Sequence, residues 1–294
     1  LRYPPNEDKP IMLYGSDLKC LDEGNYLNDN IINFYLKYMQ YSDKKRKDFD
    51  KIYIMDTLFA TNFLNVNLRK RKPATKLPPY YATYQQEMVT DAFKKLKRWT
   101  KDVDLFDKDF IMMPLLKDSH WFLTILCNIR YLISSENDNK RYANNDYNQQ
   151  QPALIFMDSL GAPERYEIVD LIKIFLKSEL NAKYPSKSLN EKKLRVIRAI
   201  VPGQTNHYDC GLFLLEYIKR FLDNPEKYYH DILANSKALV DWFDPDSLSI
   251  QRHRIYHIIL NLLPTDEGGI LKRQLNAARK AEIEAIERTE LQRM

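Results

Sequence analysis

The residue best placed to do chemistry is Cys210, in the stretch Val201-Pro-Gly-Gln-Thr-Asn-His-Tyr-Asp-Cys-Gly-Leu-Phe-Leu-Leu-Glu-Tyr-Ile-Lys-Arg-Phe-Leu222. Pro202-Gly203 ends an apolar, β-rich run from Leu194 to Val201, because proline removes a backbone donor and glycine tolerates positive φ. Asp209 stands where a helix N-cap belongs, and Leu212, Leu215, Ile218 and Leu222 then recur at helical spacing. The pattern puts Cys210 in the first turn of a buried helix. There, unpaired N–H groups and the positive dipole end favour thiolate over thiol. Gly211 is expected to keep a side chain from crowding the sulfur. The competing reading of such a cysteine is a small buried hydrophobe. The decision rests on whether the chain also supplies a base, a group to orient it and an oxyanion donor.

Five histidines are available as the base. His120 lies in the turn that opens an apolar run, Trp121–Cys127, and Asp158 ends the next one, Ala153–Met157. If the two runs are neighbouring strands, a carboxylate at one strand end can face an imidazole at the edge of the other. Gln204 sits six residues before Cys210, where its amide N–H₂ can join the Cys210 backbone N–H around an oxyanion. Each of these residues alone is more often structural than catalytic. His207 is the rival base, but it shares the nucleophile's own loop and has little independent support there. His253 and His257 have the i, i+4 spacing of a zinc pair; they lack the glutamate of HExxH and a third ligand nearby, so packing explains them better.

The elements that must position these residues follow from patterning. Leu1–Pro10 reads as an extended lead-in. Asn28 caps a helix whose apolar face is Ile31, Ile32, Tyr35, Leu36 and Met39. Ile52–Phe63 is apolar enough to be buried without declaring strand or helix. Leu64–Pro79 reads as an exposed loop and Gln85–Trp99 as a helix. Phe110–Leu116 and Trp121–Cys127 flank a turn at Lys117-Asp118-Ser119-His120. Residues 128–151, rich in Asn, Gln, Asp and Ser with few core-forming residues beyond Tyr131–Ile133, read as a long, partly disordered surface insertion. Tyr166–Leu180 is an amphipathic helix, 194–201 a strand, and further helices start at Asn224-Pro225 and at a Ser247 cap. The expected organisation is one domain over 1–264, followed by a helical extension over 265–294.

Composition sets the bounds. The chain has 294 residues, 44% hydrophobic and 12% aromatic, enough for a substantial core. Forty-five basic against 40 acidic side chains give a formal charge of +5, which suits an acidic protein partner and is too weak to imply nucleic acid. The basic runs at Lys44–Lys47, Arg69–Lys72 and Lys94–Arg98 read as solvated faces rather than a nucleic-acid surface. Cysteines at 20, 127 and 210 form no CxxC pair, which disfavours a disulfide framework or structural zinc and fits a reducing compartment. No run approaches the eighteen apolar residues of a membrane span.

Taken together and in order, His120-Trp121, Met157-Asp158-Ser159-Leu160, Gln204 and Asp209-Cys210-Gly211 resemble the signature of the SUMO-specific, ubiquitin-like-protein-processing cysteine proteases. Tyr26-Leu27-Asn28-Asp29 followed by Ile31-Ile32-Asn33-Phe34-Tyr35 looks like that family's entry helix. The resemblance runs over about residues 10 to 263. It implies an α+β, papain-like fold with a central mixed sheet flanked by helices. It also implies His120 as base, Asp158 as its orienter, Cys210 as nucleophile and Gln204 as oxyanion donor, with no metal or cofactor. The implied substrates are SUMO-conjugated proteins and poly-SUMO chains, cut after the SUMO diglycine by a monomeric nuclear enzyme. Trp121 matches one of the aromatics that close a tunnel over the two glycines. Tyr26 stands where the other is usually tryptophan. Tyr26, the 128–151 segment, Tyr3-Pro4-Pro5 and Cys20-Leu21 look more like the branch that dismantles poly-SUMO chains. Another ubiquitin-like modifier such as NEDD8, or a non-catalytic SUMO-binding module, is the alternative.

Overall fold

The computed structural model describes residues 1–42, 48–66, 93, 96–134, 150–162 and 165–264. The proline-rich start is tied down rather than free: β1 (Arg2–Tyr3) pairs with β2 (Ile11–Met12), and Tyr3 packs edge-on against Phe34 at 5.3 Å. After α1 (Gly15–Leu18), α2 (Asp29–Ser42) begins where expected. The Asn28 side chain accepts from the Ile31 N–H at 3.0 Å, satisfying one of the orphan donors of a helix start. The undecided apolar stretch splits into β3 (Ile52–Ile54) and α3 (Thr57–Leu64), divided by Asp56, which caps the Phe59 N–H.

Beyond α4 (Lys97–Thr100), the long strands β4 (Phe110–Lys117) and β5 (His120–Cys127) form a hairpin. β6 (Ile133–Ser134) pairs with β8 (Ser188–Leu189), while β7 (Ala153–Met157), α5 (Tyr166–Lys183) and β9 (Arg195–Arg198) complete the middle of the chain. Three helices follow: α6 (Cys210–Asp223), α7 (Pro225–Ala234) and α8 (Ser249–Leu262). The central sheet has the order β3-β4-β5-β7-β9, parallel at both edges and antiparallel between. It is the expected mixed sheet.

Alternation along the strands feeds two cores. Trp121, Leu123, Ile125 and Met157 join α2 and α6 on one face, whereas Phe122, Leu126 and Phe156 join α3 and α5 on the other. Helices cover both faces, and this is why the strands read as near-continuous apolar runs.

Several expectations need correction. Ser247 does not cap α8: residues 245–248 form a 3₁₀ turn and α8 starts at Ser249 with no side-chain cap. Asp209 occupies the N-cap position of α6, yet its carboxylate makes no capping bond because Arg252 and Asn206 already hold it. Residues 128–134 are not part of a loose insertion, since Asn128, Ile129 and Leu132 are buried and Ile133–Ser134 is paired. Residues 135–149, the 265–294 extension, and most of the Leu64–Pro79 loop and the Gln85–Trp99 helix lie outside the described residues. Gly211 has a structural role beside the one expected of it. A Cβ there would sit 2.9 Å from Leu27 Cβ, so the missing side chain makes room for Leu27. Gly211→Ala is expected to destabilise the protein by about 1–3 kcal/mol through this overlap. Urea titration checks it, and combining the change with Leu27→Gly, which removes the contacting Cβ, must cost less than the sum of the two single changes.

Candidate active site

The register of two strands brings the first pair together. Leu123 stands opposite Met157, so one step further Phe122 faces Asp158, and His120, two residues along, lies diagonally across on the same side. His120 Nε2 and Asp158 Oδ1 are 2.7 Å apart, and each residue is only 8% exposed. The hairpin turn fixes the end of β5. Asp118 and Ser119 take φ of 53° and 60°, the two left-handed residues of a two-residue turn that pairs Lys117 with His120.

Cys210 is the first residue of α6 and is 1% exposed. Its thiol lies close enough to the His120 imidazole to act on that ring together with the Asp158 carboxylate. Burial alone would lower the His120 pKa; the hydrogen bonds and charges of Asp158 and Cys210 outweigh it and push the value up to about 9. Burial would likewise raise Asp158. Its bonds to His120 and to the Leu160 N–H, with the nearby Arg165 guanidinium, instead hold it below the ordinary carboxylate value. A persistent imidazolium between a carboxylate and a thiol can stabilise a thiolate and later return a proton to a leaving group. His207, the rival base, is exposed on the loop, and it is His120 that meets the sulfur.

Gln204 lies on the loop before α6, held by its own N–H on the Ser159 carbonyl at 3.0 Å. The Ser159 hydroxyl donates to Gln204 Oε1 at 2.6 Å, which fixes which end of the amide faces which way. Gln204 Nε2 then donates one hydrogen to the Asn206 carbonyl at 2.7 Å and has a second left over.

Trp121 and Tyr26 differ sharply. Trp121 is 2% exposed and its indole N–H donates to the Leu27 carbonyl at 3.0 Å, whereas Tyr26, the residue before Leu27, is 49% exposed. The Leu27 side chain rests on Gly211, beside the cysteine. One short segment thus links the exposed aromatic, the buried indole and the start of α6.

Two arginines were not singled out from the sequence. Arg165 lies over the Phe122 ring at 4.6 Å, and Phe122 in turn stacks on His120 at 6.3 Å with a 14° tilt. Arg252 is 5% exposed and holds Asp209 Oδ1 at 2.6 Å. A signal for it existed: Arg252, Ile255 and Ile259 share the inner face of α8, so a charge sits in an apolar register. Among the described residues, no group of three His, Cys, Asp or Glu side chains is placed to hold a metal, and His253 and His257 are no exception.

Residues 25–239 match the Ulp1 protease family, C-terminal catalytic domain. A probable ubiquitin-like-specific protease 2A of Arabidopsis thaliana is 27% identical over 92% of this chain and 33% of its own length. Human sentrin-specific protease 7 is 26% identical over 91% of this chain and 28% of its own length. The chain therefore spans about a third of these relatives. A solved structure described as the de-sumoylating protease superposes with a TM-score of 0.65 at 22% identity, covering 97% of both chains, which supports the fold. With the match covering most of its residues, the chain belongs to the Ulp1 protease family.

Proposed function

We propose that this chain is a cysteine isopeptidase that releases SUMO from lysines of target proteins and from poly-SUMO chains. The observation that carries the reading is the buried His120–Asp158 hydrogen bond with the Cys210 thiol close to the same imidazole, within a chain of this family. In this reading the Cys210 Sγ attacks the carbonyl of the SUMO terminal glycine. The C–N bond then breaks as His120 gives its proton to the departing lysine amine. Water next adds to the thioester, His120 takes its proton, and Cys210 leaves as thiolate. The Cys210 backbone N–H at the start of α6 and the second hydrogen of Gln204 Nε2 are the donors for the oxyanion. Trp121 and Tyr26 flank the tail, where flat rings leave space for glycine and exclude a Cβ at little entropic cost.

The preference for chains is part of the proposal, supported by Tyr26 and the long 128–151 segment and by the likeness to sentrin-specific protease 7. A nuclear location is also proposed. No described helix is long and apolar enough to cross a membrane, and imaging of a fluorescent fusion outside the nucleus would refute the assignment.

The deciding experiment is labelling with SUMO and NEDD8 probes that carry an electrophile at the terminal glycine. An adduct with SUMO alone, lost in Cys210→Ala, is expected. A preference for NEDD8 moves the substrate class, and no adduct with either leaves a binding module. Asp158→Asn is expected to lower kcat by about 10²–10⁴-fold while SUMO still binds. A second expectation concerns pH. The working imidazolium persists up to about 9, so kcat/KM falls as pH rises through that value. In Asp158→Asn the falling limb moves to lower pH, and an unchanged limb would assign it to another group. The same raised pKa contributes stability that is complete below the ordinary histidine value and lost as pH climbs through about 9.

A further inference from the structure

Arg252 is anchored in a way that the packing of its own helix does not call for. Ile255, Ile259 and Leu260 already bury α8 in the core, and Gln251 holds the Tyr35 hydroxyl at 2.7 Å. The Arg252 guanidinium instead spends every nitrogen on two loops. Nη1 donates to the carbonyls of Cys20 and Asp22 at 2.9 and 3.2 Å. Nη2 donates to the Asn25 and Tyr208 carbonyls at 2.8 and 3.4 Å and to Asp209 Oδ1 at 2.6 Å, while Nε reaches the same carboxylate oxygen at 3.2 Å. The first loop runs directly into Tyr26 and Leu27. The second ends at Cys210.

We propose that Arg252 is a positioning residue for the reaction at Cys210, fixing the spacing between the segment that borders the substrate tail and the loop that presents the thiol. The inference rests on the isopeptidase reading. A buried guanidinium is tolerable only when paired and fully hydrogen-bonded, and here both conditions are met by groups flanking the nucleophile. Its planar fork reaches four carbonyls and a carboxylate at once, which an ammonium cannot do. Asp209 accepts from Asn206 Nδ2 at 2.7 Å as well, and Asn206 Oδ1 takes the Tyr208 and Asp209 N–H groups at 3.1 and 3.0 Å. The guanidinium therefore grips a loop that is already internally bonded, so a displacement of Arg252 moves the loop as a unit. A misplacement on the order of 1 Å at a reacting group can cost about a hundredfold in rate.

The test compares wild type, Arg252→Lys and Asp209→Asn in cleavage of a fluorogenic SUMO substrate. Thermal melting and SUMO affinity are measured for each on a Cys210→Ala background. Both variants are expected to melt cooperatively and bind SUMO within about twofold of the parent. Arg252→Lys is expected to lose about tenfold or more in kcat with KM little changed. A kcat within twofold of wild type, or a loss accounted for by the unfolded fraction, would overturn the proposal. If Arg252→Lys does not fold, Asp209→Asn reads the same link from its other end: a reduced kcat at unchanged melting temperature supports it, and an unchanged kcat refutes it. Should wild type cleave no SUMO substrate, the function has failed but the clamp is still measurable. The rate at which iodoacetamide alkylates Cys210 must then change severalfold in the folded variants, and an unchanged rate sinks the clamp as well.

Discussion

The site depends on the register between β5 and β7. Because side chains alternate faces along a strand, a slip of one residue would carry Asp158 away from His120 and turn Phe122, Leu126 and Phe156 out of their core. The same cores penalise such a slip heavily, since both faces of the sheet are covered. A 2.7 Å bond between two side chains is thus enforced by packing spread over five strands and the helices on either side. The left-handed turn at Asp118-Ser119 adds a local lock, setting where β5 begins and therefore where the imidazole stands.

Electrostatics then builds on that geometry. Removing His120 and Asp158 from water works against their charged forms, and the hydrogen bonds they share with each other and with Cys210 outweigh the loss. Arg165 reinforces one end of this arrangement through Asp158 and through the ring of Phe122.

Much of this was legible in the sequence where the information is local. The strand–turn–strand around His120, the helix starting at Cys210, the Asn28 cap and the strand ending at Asp158 all follow from periodicity and turn chemistry, and all four stand in the structure. What was not legible is non-local. Gly211 answers to Leu27, 184 positions earlier in the chain, and Arg252 to carbonyls up to 232 residues away. Asp209 illustrates the conflict: local rules make it a cap, but a distant guanidinium claims its carboxylate. Ile129 shows the opposite error, an apolar residue concealed at the start of a polar stretch in which only Tyr131–Ile133 stood out.

Tyr217 gives one of these features a wider consequence. Its hydroxyl, on the third turn of α6, donates to the Pro202 carbonyl at the start of the loop that ends in Cys210. With Gln204 held by Ser159 and Asp209 by Arg252, the loop is fastened at its beginning, its middle and its end. Such a loop has little conformational entropy left to lose when a substrate arrives. Tyr26, by contrast, stands half exposed and free of that network. Under the proposed reading this divides the site into a rigid wall carrying Cys210 and a yielding one at Tyr26, so that sequence drift at Tyr26 would change its own surface without loosening the loop that holds the thiol.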